Sequence, residues 1–252
     1  NTFLKSSSSI WKGTYVLCRL NIKIYSDGAN VEAMIKDNLS GMVDGFTTNP
    51  TLMLKDGVKD YMAFAKDALS KITDKPISFE VFSDDLDEMY VQALKLKELA
   101  SNVYVKIPVS NTKQEYTYSL INKLSNEGVK LNVTALFTQE HVTNVFDSLN
   151  KDIPSIISIF AGRIANAGID PEPTMKFATD LTKNFPEIEI LWASSREVFN
   201  VIQAERTGCD IITMTPSLIK AMNDLGMDLD EYSLDTVKMF YNDALSAGFT
   251  IS

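Results

Sequence analysis

One lysine and one glutamate lie inside short apolar segments of the chain, where charged groups are rare. Lys106 is part of VYVKI (103–107) and Glu80 is part of ISFEVF (77–82). Burial of an ammonium group without a partner is costly, and its usual consequence is a lowered pKa. A neutral lysine amine attacks carbonyl carbons to form a Schiff base, and nearby carboxylates can move the protons that this reaction requires. The two residues therefore predict imine chemistry on a carbonyl substrate.

Other polar side chains lie near the C-terminal ends of the apolar segments. Successive side chains along a strand point to opposite faces, so an apolar set on one face leaves a polar set on the other. Strands of a parallel sheet that is covered on both faces normally consist of nearly continuous apolar runs. The exceptions predict one shared site at the C-terminal ends of the strands. Its further members are Asp27, Thr48, Asn49, Asn132, Thr134 and Ser158.

Two arginines, Arg163 and Arg196, each follow a late apolar segment. A guanidinium group binds phosphate through paired hydrogen bonds, and loops after the late strands of an eight-stranded barrel are common phosphate sites. Two arginines at the same end of such a barrel predict a phosphorylated substrate. Ser194 precedes Arg196 by two residues and, by alternation, is expected on the same face as Ile190 and Trp192.

The elements that must hold these residues alternate regularly from Ile22 onward. Short apolar segments followed by longer helical patterns indicate parallel strands joined by crossover helices. Eight such units in about 230 residues predict a (β/α)8 TIM barrel, with an open doubly wound sheet as the alternative. The predicted strands are 22–26, 43–48, 77–82, 103–107, 130–135, 155–160, 188–193 and 210–214. The predicted helices are 30–39, 59–72, 85–100, 113–127, 138–149, 172–184, 196–207, 216–224 and 231–246, with N-caps at Asp84, Thr138 and Thr215.

Residues 22–252 are expected to form a single α/β domain, because no linker-like, repeated or low-complexity segment divides them. Residues 1–21 are assigned to an N-terminal extension outside this fold. They contain three basic residues, no acidic residue and the serine run 6–9. Such a segment is compatible with an organelle-targeting sequence, a fragment, a misassigned start or an upstream extension.

The composition excludes several classes of function. The 252 residues carry a formal net charge of -9 and are 45% hydrophobic, which is typical of a globular protein and unfavourable for general nucleic-acid binding. His141 is the only histidine, and Cys18 and Cys209 are the only cysteines, so neither a multi-histidine metal site nor a cysteine zinc site is expected. No P-loop, dinucleotide fingerprint or membrane-length apolar run is present. We expect a cytoplasmic protein that uses no metal or cofactor and binds neither nucleic acids nor membranes.

From about Ile22 to its end, the sequence resembles transaldolase and its smaller relative, fructose-6-phosphate aldolase. The resemblance covers nearly the whole predicted domain, and the TTNP and VKIP motifs are specific in combination. The matching segments are IYSDGAN (24–30), GFTTNPTL (45–52), SFEVFS (78–83), YVKIP (104–108), LNVTALFT (131–138), SIFAGRI (158–164), WASSRE (192–197) and TGCDIITMTPSLIK (207–220).

The resemblance implies a metal-free Schiff-base enzyme of the pentose phosphate pathway. Such an enzyme transfers a dihydroxyacetone unit from sedoheptulose 7-phosphate to glyceraldehyde 3-phosphate, giving erythrose 4-phosphate and fructose 6-phosphate. By this resemblance Lys106 is the Schiff-base lysine, and Asp27 is the acid/base that deprotonates the substrate hydroxyl group during C–C cleavage. Glu80 and Thr134 are the pair that holds the catalytic water.

The same resemblance assigns the contacts to the substrate. Asn49 and Asn132 correspond to ligands of substrate hydroxyl groups, and Ser158 corresponds to the contact with the dihydroxyacetone hydroxyl group. The phosphate-binding residues are Arg163, Ser194 and Arg196. The partners implied are phosphorylated sugars and further copies of the chain in a homo-oligomer.

Two positions distinguish the relatives within this family. Transaldolases carry Glu and Phe where the related aldolases carry Gln and Tyr, and this chain has Glu80 and Phe160. A tyrosine hydroxyl group at position 160 could protonate a bound enamine and release free dihydroxyacetone, whereas phenylalanine cannot. The resemblance thus favours transfer to an aldehyde acceptor. A dihydroxyacetone-dependent aldolase and a catalytically silent phosphosugar-binding barrel are the alternatives.

Overall fold

Eight parallel strands close into a barrel within residues 21–219. The computed structural model describes residues 20–251. Each strand pairs with the next along the chain, and the eighth strand pairs with the first. The strands are β1 (Lys23–Asp27), β2 (Gly45–Thr47), β3 (Ile77–Glu80), β4 (Val103–Pro108), β5 (Leu131–Leu136), β6 (Ser155–Ile159), β7 (Ile188–Trp192) and β8 (Ile211–Met214). The predicted (β/α)8 barrel is confirmed, and the open doubly wound sheet is wrong.

Eleven α-helices occur among the described residues, and at least one follows each strand. They are α1 (Val31–Ser40), α2 (Pro50–Lys55), α3 (Tyr61–Lys71), α4 (Leu86–Lys97), α5 (Tyr118–Asn126), α6 (Gln139–Ser148), α7 (Ala161–Asn166), α8 (Glu172–Thr182), α9 (Phe199–Arg206), α10 (Pro216–Ala221) and α11 (Leu229–Ala247). All nine predicted helices are present. The short helices α2 and α7 were not predicted, because each spans only six residues.

Side chains that accept hydrogen bonds from backbone N–H groups determine where several helices begin. Thr138 caps α6 as predicted by accepting from the N–H of His141. The N-cap of α4 is Asp85, which accepts from the N–H of Glu88, so the prediction of Asp84 is wrong by one residue. Asp84 instead accepts hydrogen bonds from both the backbone N–H and the hydroxyl group of Thr112.

Helix α5 begins at Tyr118, five residues later than predicted, because an asparagine side chain holds the preceding residues in a loop. Asn111 Oδ1 accepts from the N–H groups of Lys113 and Glu115 at 3.0 Å each. Local side-chain bonds of this kind compete with the helical hydrogen-bond pattern.

The interior of the barrel contains a buried apolar cluster. The cluster consists of Tyr25, Ile156, Leu191, Ala193 and Ile211. The ring of Tyr25 requires a glycine on the neighbouring strand, since a Cβ at Gly45 would lie 2.5 Å from the Cζ atom of Tyr25. Ala193 follows the last residue of β7, so the cluster reaches the C-terminal end of the barrel.

Residues 220–251 belong to a second unit, of which α11 is the principal element. Asp228 caps α11 by accepting from the N–H groups of Asp230 and Glu231, and Gly248 ends it with a φ of 67°. No helix within residues 20–251 is long and apolar enough to cross a membrane. A single domain over 22–252 stays a prediction. The extension predicted at 1–21 lies, up to residue 19, outside the described residues.

Candidate active site

A cavity of about 540 Å3 lies at the C-terminal ends of the barrel strands. It brings together all the site residues predicted from the sequence except Thr48 and Asn132. The predicted residues that line it are Asp27, Asn49, Glu80, Lys106, Thr134, Ser158, Phe160, Arg163, Ser194 and Arg196. Parallel strands present their C-terminal ends to one face of a barrel, so residues far apart in the chain meet there.

Lys106 is a buried amine with two partners in the barrel. It lies in β4 opposite Glu80 of β3 and is 7% exposed. Its Nζ is 3.3 Å from Glu80 Oε2 and donates to the carbonyl oxygen of Thr48 at 3.1 Å. A buried ammonium group needs such partners, because the loss of its hydration is costly. The register of two neighbouring strands therefore holds the amine beside a carboxylate on the cavity wall.

Asp27, the last residue of β1, lines the cavity with one carboxylate oxygen already bonded. Thr47 Oγ1 donates to Asp27 Oδ1 at 2.9 Å and also lies 2.5 Å from Thr213 Oγ1. Burial raises the pKa of Asp27, while the charge of Lys106 and the hydrogen bond from Thr47 act in the opposite direction. Asp27 therefore takes up a proton more readily than an exposed aspartate does.

The hydroxyl group of Thr134 is buried and has no hydrogen-bond partner among residues 20–251. The next residue, Ala135, has a φ of 64°, and the pairing of β5 with β6 is irregular there. A buried hydroxyl group without a partner costs about 1–3 kcal/mol. Thr134 therefore offers a donor and an acceptor to a molecule in the cavity that Glu80 and Lys106 also line.

Asn132 is fully buried and does not line the cavity. Its Nδ2 donates to Ser78 Oγ at 2.9 Å, and its Oδ1 accepts from Ser158 Oγ at 2.6 Å. Both ends of the amide are thus used within the barrel. Ser158 lines the cavity and joins Asn132 to it, so the structure brings Ser158, but not Asn132, to the predicted substrate contacts.

Thr47, and not Thr48, presents its side chain to the cavity. Thr48 is fully buried, and its Oγ1 donates to the carbonyl oxygen of Ser78 at 2.7 Å. A shift of one residue along a strand moves a side chain to the opposite face, so the prediction of Thr48 is wrong by one position. Asn49 lines the cavity and also caps α2 by accepting from the N–H of Leu52 at 2.9 Å.

The two predicted arginines follow neighbouring strands of the barrel. Arg163 lies in α7 after β6, and Arg196 lies in the loop after β7, which pairs with β6. The guanidinium carbon of Arg163 is 5.8 Å from the centroid of the Phe160 ring, within the range of a cation–π contact. This side of the cavity is therefore cationic and also presents an aromatic ring.

Ser194 has a left-handed backbone conformation with a φ of 61°. Such a conformation is costly for a residue other than glycine and occurs mainly at functional sites. It also interrupts the alternation of the strand, so Ser194 lines the cavity together with Leu191 and Ala193. The expectation that Ser194 shares the face of Trp192, which does not line the cavity, is wrong.

Residues 24–251 match the family model described as Transaldolase/Fructose-6-phosphate aldolase. The chain belongs to this family. It is 34% identical over 203 residues to a protein named Probable transaldolase from Nitrosopumilus maritimus, covering 80% of this chain and 87% of that protein. A protein of the same name from Ruegeria sp. strain TM1040 is 32% identical over 231 residues, covering 91% and 100%. Another from Methanococcus maripaludis is 35% identical over 197 residues, covering 77% and 86%.

The sequence analysis missed two threonines that lie beside Asp27 in this transaldolase-family site. Thr47 and Thr213 line the cavity and contact each other beside Asp27. Thr213 is the one polar residue of β8 (IITM), and the rule that polar residues in apolar strands mark the site would have indicated it. Thr47 was missed because β2 ends one residue earlier than the sequence suggested.

A buried amide holds the loop that carries Arg196. Asn200 is 7% exposed, and its Oδ1 accepts from the N–H groups of Arg196 and Glu197 at 2.8 and 3.2 Å. Its Nδ2 donates to Gln203 Oε1 at 2.8 Å, and Gln203 Nε2 donates to Glu172 Oε1 at 3.0 Å. These bonds explain why α9 begins three residues later than predicted. They also hold the backbone of the arginine for which the family resemblance implies phosphate binding.

The ionisable groups that line the cavity are one amine, two carboxylates and two guanidinium groups. The amine lies beside one carboxylate, and the second carboxylate lines the same cavity. Within the described part of the chain, no group of three His, Cys, Asp or Glu side chains could hold a metal ion. This set of groups can form an imine with a carbonyl compound, move protons around it and bind an anion.

Proposed function

We propose that this family member is a transaldolase. It transfers a dihydroxyacetone unit from sedoheptulose 7-phosphate to glyceraldehyde 3-phosphate through a Schiff base on Lys106, a reaction of the pentose phosphate pathway. The products are erythrose 4-phosphate and fructose 6-phosphate. The observation that carries the proposal is the buried Nζ of Lys106, 3.3 Å from Glu80 Oε2, on the wall of a cavity that Asp27 also lines. The name Probable transaldolase of the relatives supports the same reaction.

Lys106, Glu80 and Thr134 carry out imine formation in this proposal. The neutral Nζ attacks the ketone carbon of the donor, and the resulting carbinolamine loses water. Glu80 is close enough to Nζ to accept the proton that frees the amine, and it returns a proton to the departing hydroxyl group. The buried hydroxyl group of Thr134 binds that water beside Glu80. The same groups act in reverse when the imine is hydrolysed and the product is released.

Asp27 carries out the proton transfer of C–C cleavage. The protonated imine withdraws electrons from the neighbouring C–C bond, while Asp27 removes the proton of the hydroxyl group on the far carbon. The aldehyde product leaves, and an enamine stays bound to Lys106. With the acceptor, the enamine attacks the aldehyde carbon and Asp27 returns its proton to the new hydroxyl group. Because burial raises the pKa of Asp27, this carboxylate suits proton transfer in both directions.

Arg163, Ser194 and Arg196 bind the phosphate group of the sugars. Guanidinium groups bind phosphate through directed pairs of hydrogen bonds, and two of them balance the charge of a phosphate dianion. Donor, acceptor and both released sugars of the reaction all carry a terminal phosphate. One anion site therefore serves every substrate of the cycle.

A dihydroxyacetone-dependent aldolase is the alternative enzyme, and Phe160 argues against it. The ring of Phe160 lines the cavity and lies 5.9 Å from the ring of Phe137. It carries no acidic proton for the enamine, so the enamine persists until an aldehyde arrives. A silent phosphosugar-binding barrel, the candidate of another class, would form no reducible imine.

Borohydride reduction in the presence of fructose 6-phosphate, followed by intact and peptide mass spectrometry, tests the proposal. We expect a dihydroxyacetone adduct on the peptide that contains Lys106 and none in Lys106→Ala. Lys130→Ala is the matched control and should keep the adduct, since its Nζ donates to the carbonyl oxygen of Ser101. An adduct on another lysine, or none in folded protein, contradicts the proposal. With sedoheptulose 7-phosphate as the donor, formation of more than one equivalent of erythrose 4-phosphate per site only when glyceraldehyde 3-phosphate is present distinguishes transfer from free cleavage.

A further inference from the structure

Two buried threonine hydroxyl groups connect Asp27 to the strands on either side of it. Thr47 lies in β2 in register with Asp27, and Thr213 lies in β8 on the opposite side of β1. Thr47 Oγ1 is 2.9 Å from Asp27 Oδ1 and 2.5 Å from Thr213 Oγ1. The two threonines are 3% and 6% exposed, so water competes little for these bonds.

The number of protons determines the direction of these hydrogen bonds. A hydroxyl group has one proton to donate, and an ionised carboxylate only accepts. Thr47 gives its proton to Asp27 Oδ1, so the proton between the two hydroxyl groups comes from Thr213. Among residues 20–251 no other hydrogen bond reaches this carboxylate. Its Oδ1 therefore already accepts one hydrogen bond, whereas its Oδ2 accepts none from residues 20–251.

We propose that Thr213 and Thr47 are positioning residues that direct the substrate proton to one oxygen of Asp27. The inference rests on the proposed function, in which Asp27 removes a hydroxyl proton during C–C cleavage. Thr213 donates to Thr47 and Thr47 donates to Oδ1, so the incoming proton binds Oδ2. The same oxygen then returns the proton to the new hydroxyl group. Thr213 keeps the Thr47 proton directed at Asp27, because it supplies the hydrogen bond that the Thr47 oxygen accepts.

The charged groups around Asp27 do not supply this discrimination. Lys106 and Glu80 line the cavity from β4 and β3 as an ion pair, and Arg163 and Arg196 line it from beyond β6 and β7. The charge of Lys106 favours the ionised state of Asp27 as a whole. A hydrogen bond, in contrast, acts on a single oxygen. The two hydrogen bonds, from Thr213 to Thr47 and from Thr47 to Asp27, form a relay. Loss of this relay should therefore raise the pKa of Asp27 and make its two oxygens equivalent.

The pH dependence of kcat/KM for transfer tests the relay with isosteric variants. Thr213→Val and Thr47→Val each remove a hydroxyl group and keep the shape of the side chain. We expect the acidic limb of the profile to move up by roughly one pH unit in both, because the ionised state of Asp27 loses support. The plateau should fall roughly tenfold, since the proton is no longer directed to one oxygen. Thr213→Ser keeps the hydroxyl group and should retain the wild-type limb.

Thr182→Val is the control for loss of a buried hydroxyl group elsewhere, since Thr182 Oγ1 donates to the carbonyl oxygen of Ala178 in α8. It should leave the profile unchanged. The relay is wrong if both valine variants keep the wild-type limb, or if Thr213→Ser moves it as far as Thr213→Val does. Borohydride trapping at Lys106 separates the two proposals. Failure of trapping in the wild-type protein overturns the proposed function and the relay with it, whereas normal trapping with unshifted limbs overturns the relay alone.

Discussion

The carbonyl oxygen of Ser194 occupies the space in which a side chain at Gly162 would begin. A Cβ at Gly162 would lie 1.6 Å from that oxygen, and the N–H of Gly162 donates to the carbonyl oxygen of Ala193 at 3.2 Å. The backbone of α7 therefore packs directly against the segment after β7. This contact joins the two parts of the chain that carry Arg163 and Arg196.

Gly162→Ala is expected to lower the free energy of unfolding by about 1–3 kcal/mol, because the added methyl group meets a backbone oxygen that cannot rotate away. Urea unfolding measures the change. Gly28→Ala is the matched control, since a Cβ there meets nothing within 4 Å, and it should change stability by less than about 1 kcal/mol. Equal stabilities of the two variants would contradict the close contact.

Thr134→Val is expected to lower kcat by roughly tenfold or more without loss of stability. The variant removes a buried hydroxyl group that has no partner in residues 20–251, so folding loses no hydrogen bond, whereas hydration of the imine loses a ligand. Thr117→Val is the comparison, because Thr117 Oγ1 donates to the carbonyl oxygen of Pro108 at 2.6 Å. It should be the less stable of the two in thermal unfolding. A destabilised Thr134→Val would show that this hydroxyl group is bonded in the folded protein.

Asp27→Asn is expected to raise Tm near neutral pH while abolishing transfer. Burial raises the pKa of Asp27, so the folded state holds this proton to a higher pH than the unfolded state, whose ordinary value is 3.8. The stabilisation from the bound proton is complete below that value and is lost as pH rises through the raised pKa. An amide does not titrate, so the advantage of the variant should grow as the pH rises above 3.8 and through the raised pKa of Asp27.

Asp84→Asn provides the control of opposite sign for that measurement. Hydrogen bonds from Thr112 lower the pKa of Asp84, so its ionised form contributes stability above the ordinary pKa. The disadvantage of this variant should therefore grow as pH rises through the acidic range. Parallel trends in the two variants would mean that the burial of Asp27 does not control its titration.

Asn200→Leu is expected to raise KM for fructose 6-phosphate roughly tenfold, because the loop that carries Arg196 loses two hydrogen bonds to its backbone. Borohydride trapping with unphosphorylated dihydroxyacetone should not change. Asn122→Leu, on α5, is the control for loss of an asparagine that bonds a backbone carbonyl. If Asn200 acts through Arg196, Asn200→Leu should raise KM by a smaller factor in the Arg196→Ala background than in the wild-type protein. If the two substitutions raise KM independently of each other, Asn200 has a role in folding only.

Phe160→Tyr is expected to increase the release of free dihydroxyacetone from fructose 6-phosphate without an acceptor. The new hydroxyl group can protonate the enamine, which the phenylalanine ring cannot do. A coupled assay for glyceraldehyde 3-phosphate formation measures this release. Phe137→Tyr is the matched control, since Phe137 packs against Phe160 at 5.9 Å but does not line the cavity. No gain in Phe160→Tyr, or an equal gain in both, would contradict the assignment of Phe160.

The sequence was sufficient to predict the barrel and the charged part of the site. Lys106 and Glu80 interrupt apolar strands, and the alternation of side chains assigns both of them to the interior, where the structure pairs them. The same rule applies to Asp27 and Ser158. Local pattern is informative here because neighbouring strands impose a regular geometry on each residue.

The remaining differences arise where the backbone leaves that geometry. Ser194 is left-handed, Asn200 holds the N–H groups before α9, and β2 ends one residue early at Thr47. Ser194 contacts Gly162 in a distant part of the chain, whereas Asn200 bonds N–H groups only three and four residues before it. A propensity or a period within a short window carries no information about such contacts.

The position of Lys106 on the wall of the cavity has a consequence for the order in which substrates and products bind. The cavity lies at the C-terminal ends of the strands, and a molecule that reacts with Lys106 must bind in it. In the proposed transaldolase reaction, the departing and the arriving aldehyde both occupy this cavity beside Lys106, so binding of the second requires release of the first. The first product and the second substrate would then compete for the same enamine form of the enzyme, and an excess of the first product is expected to slow the transfer.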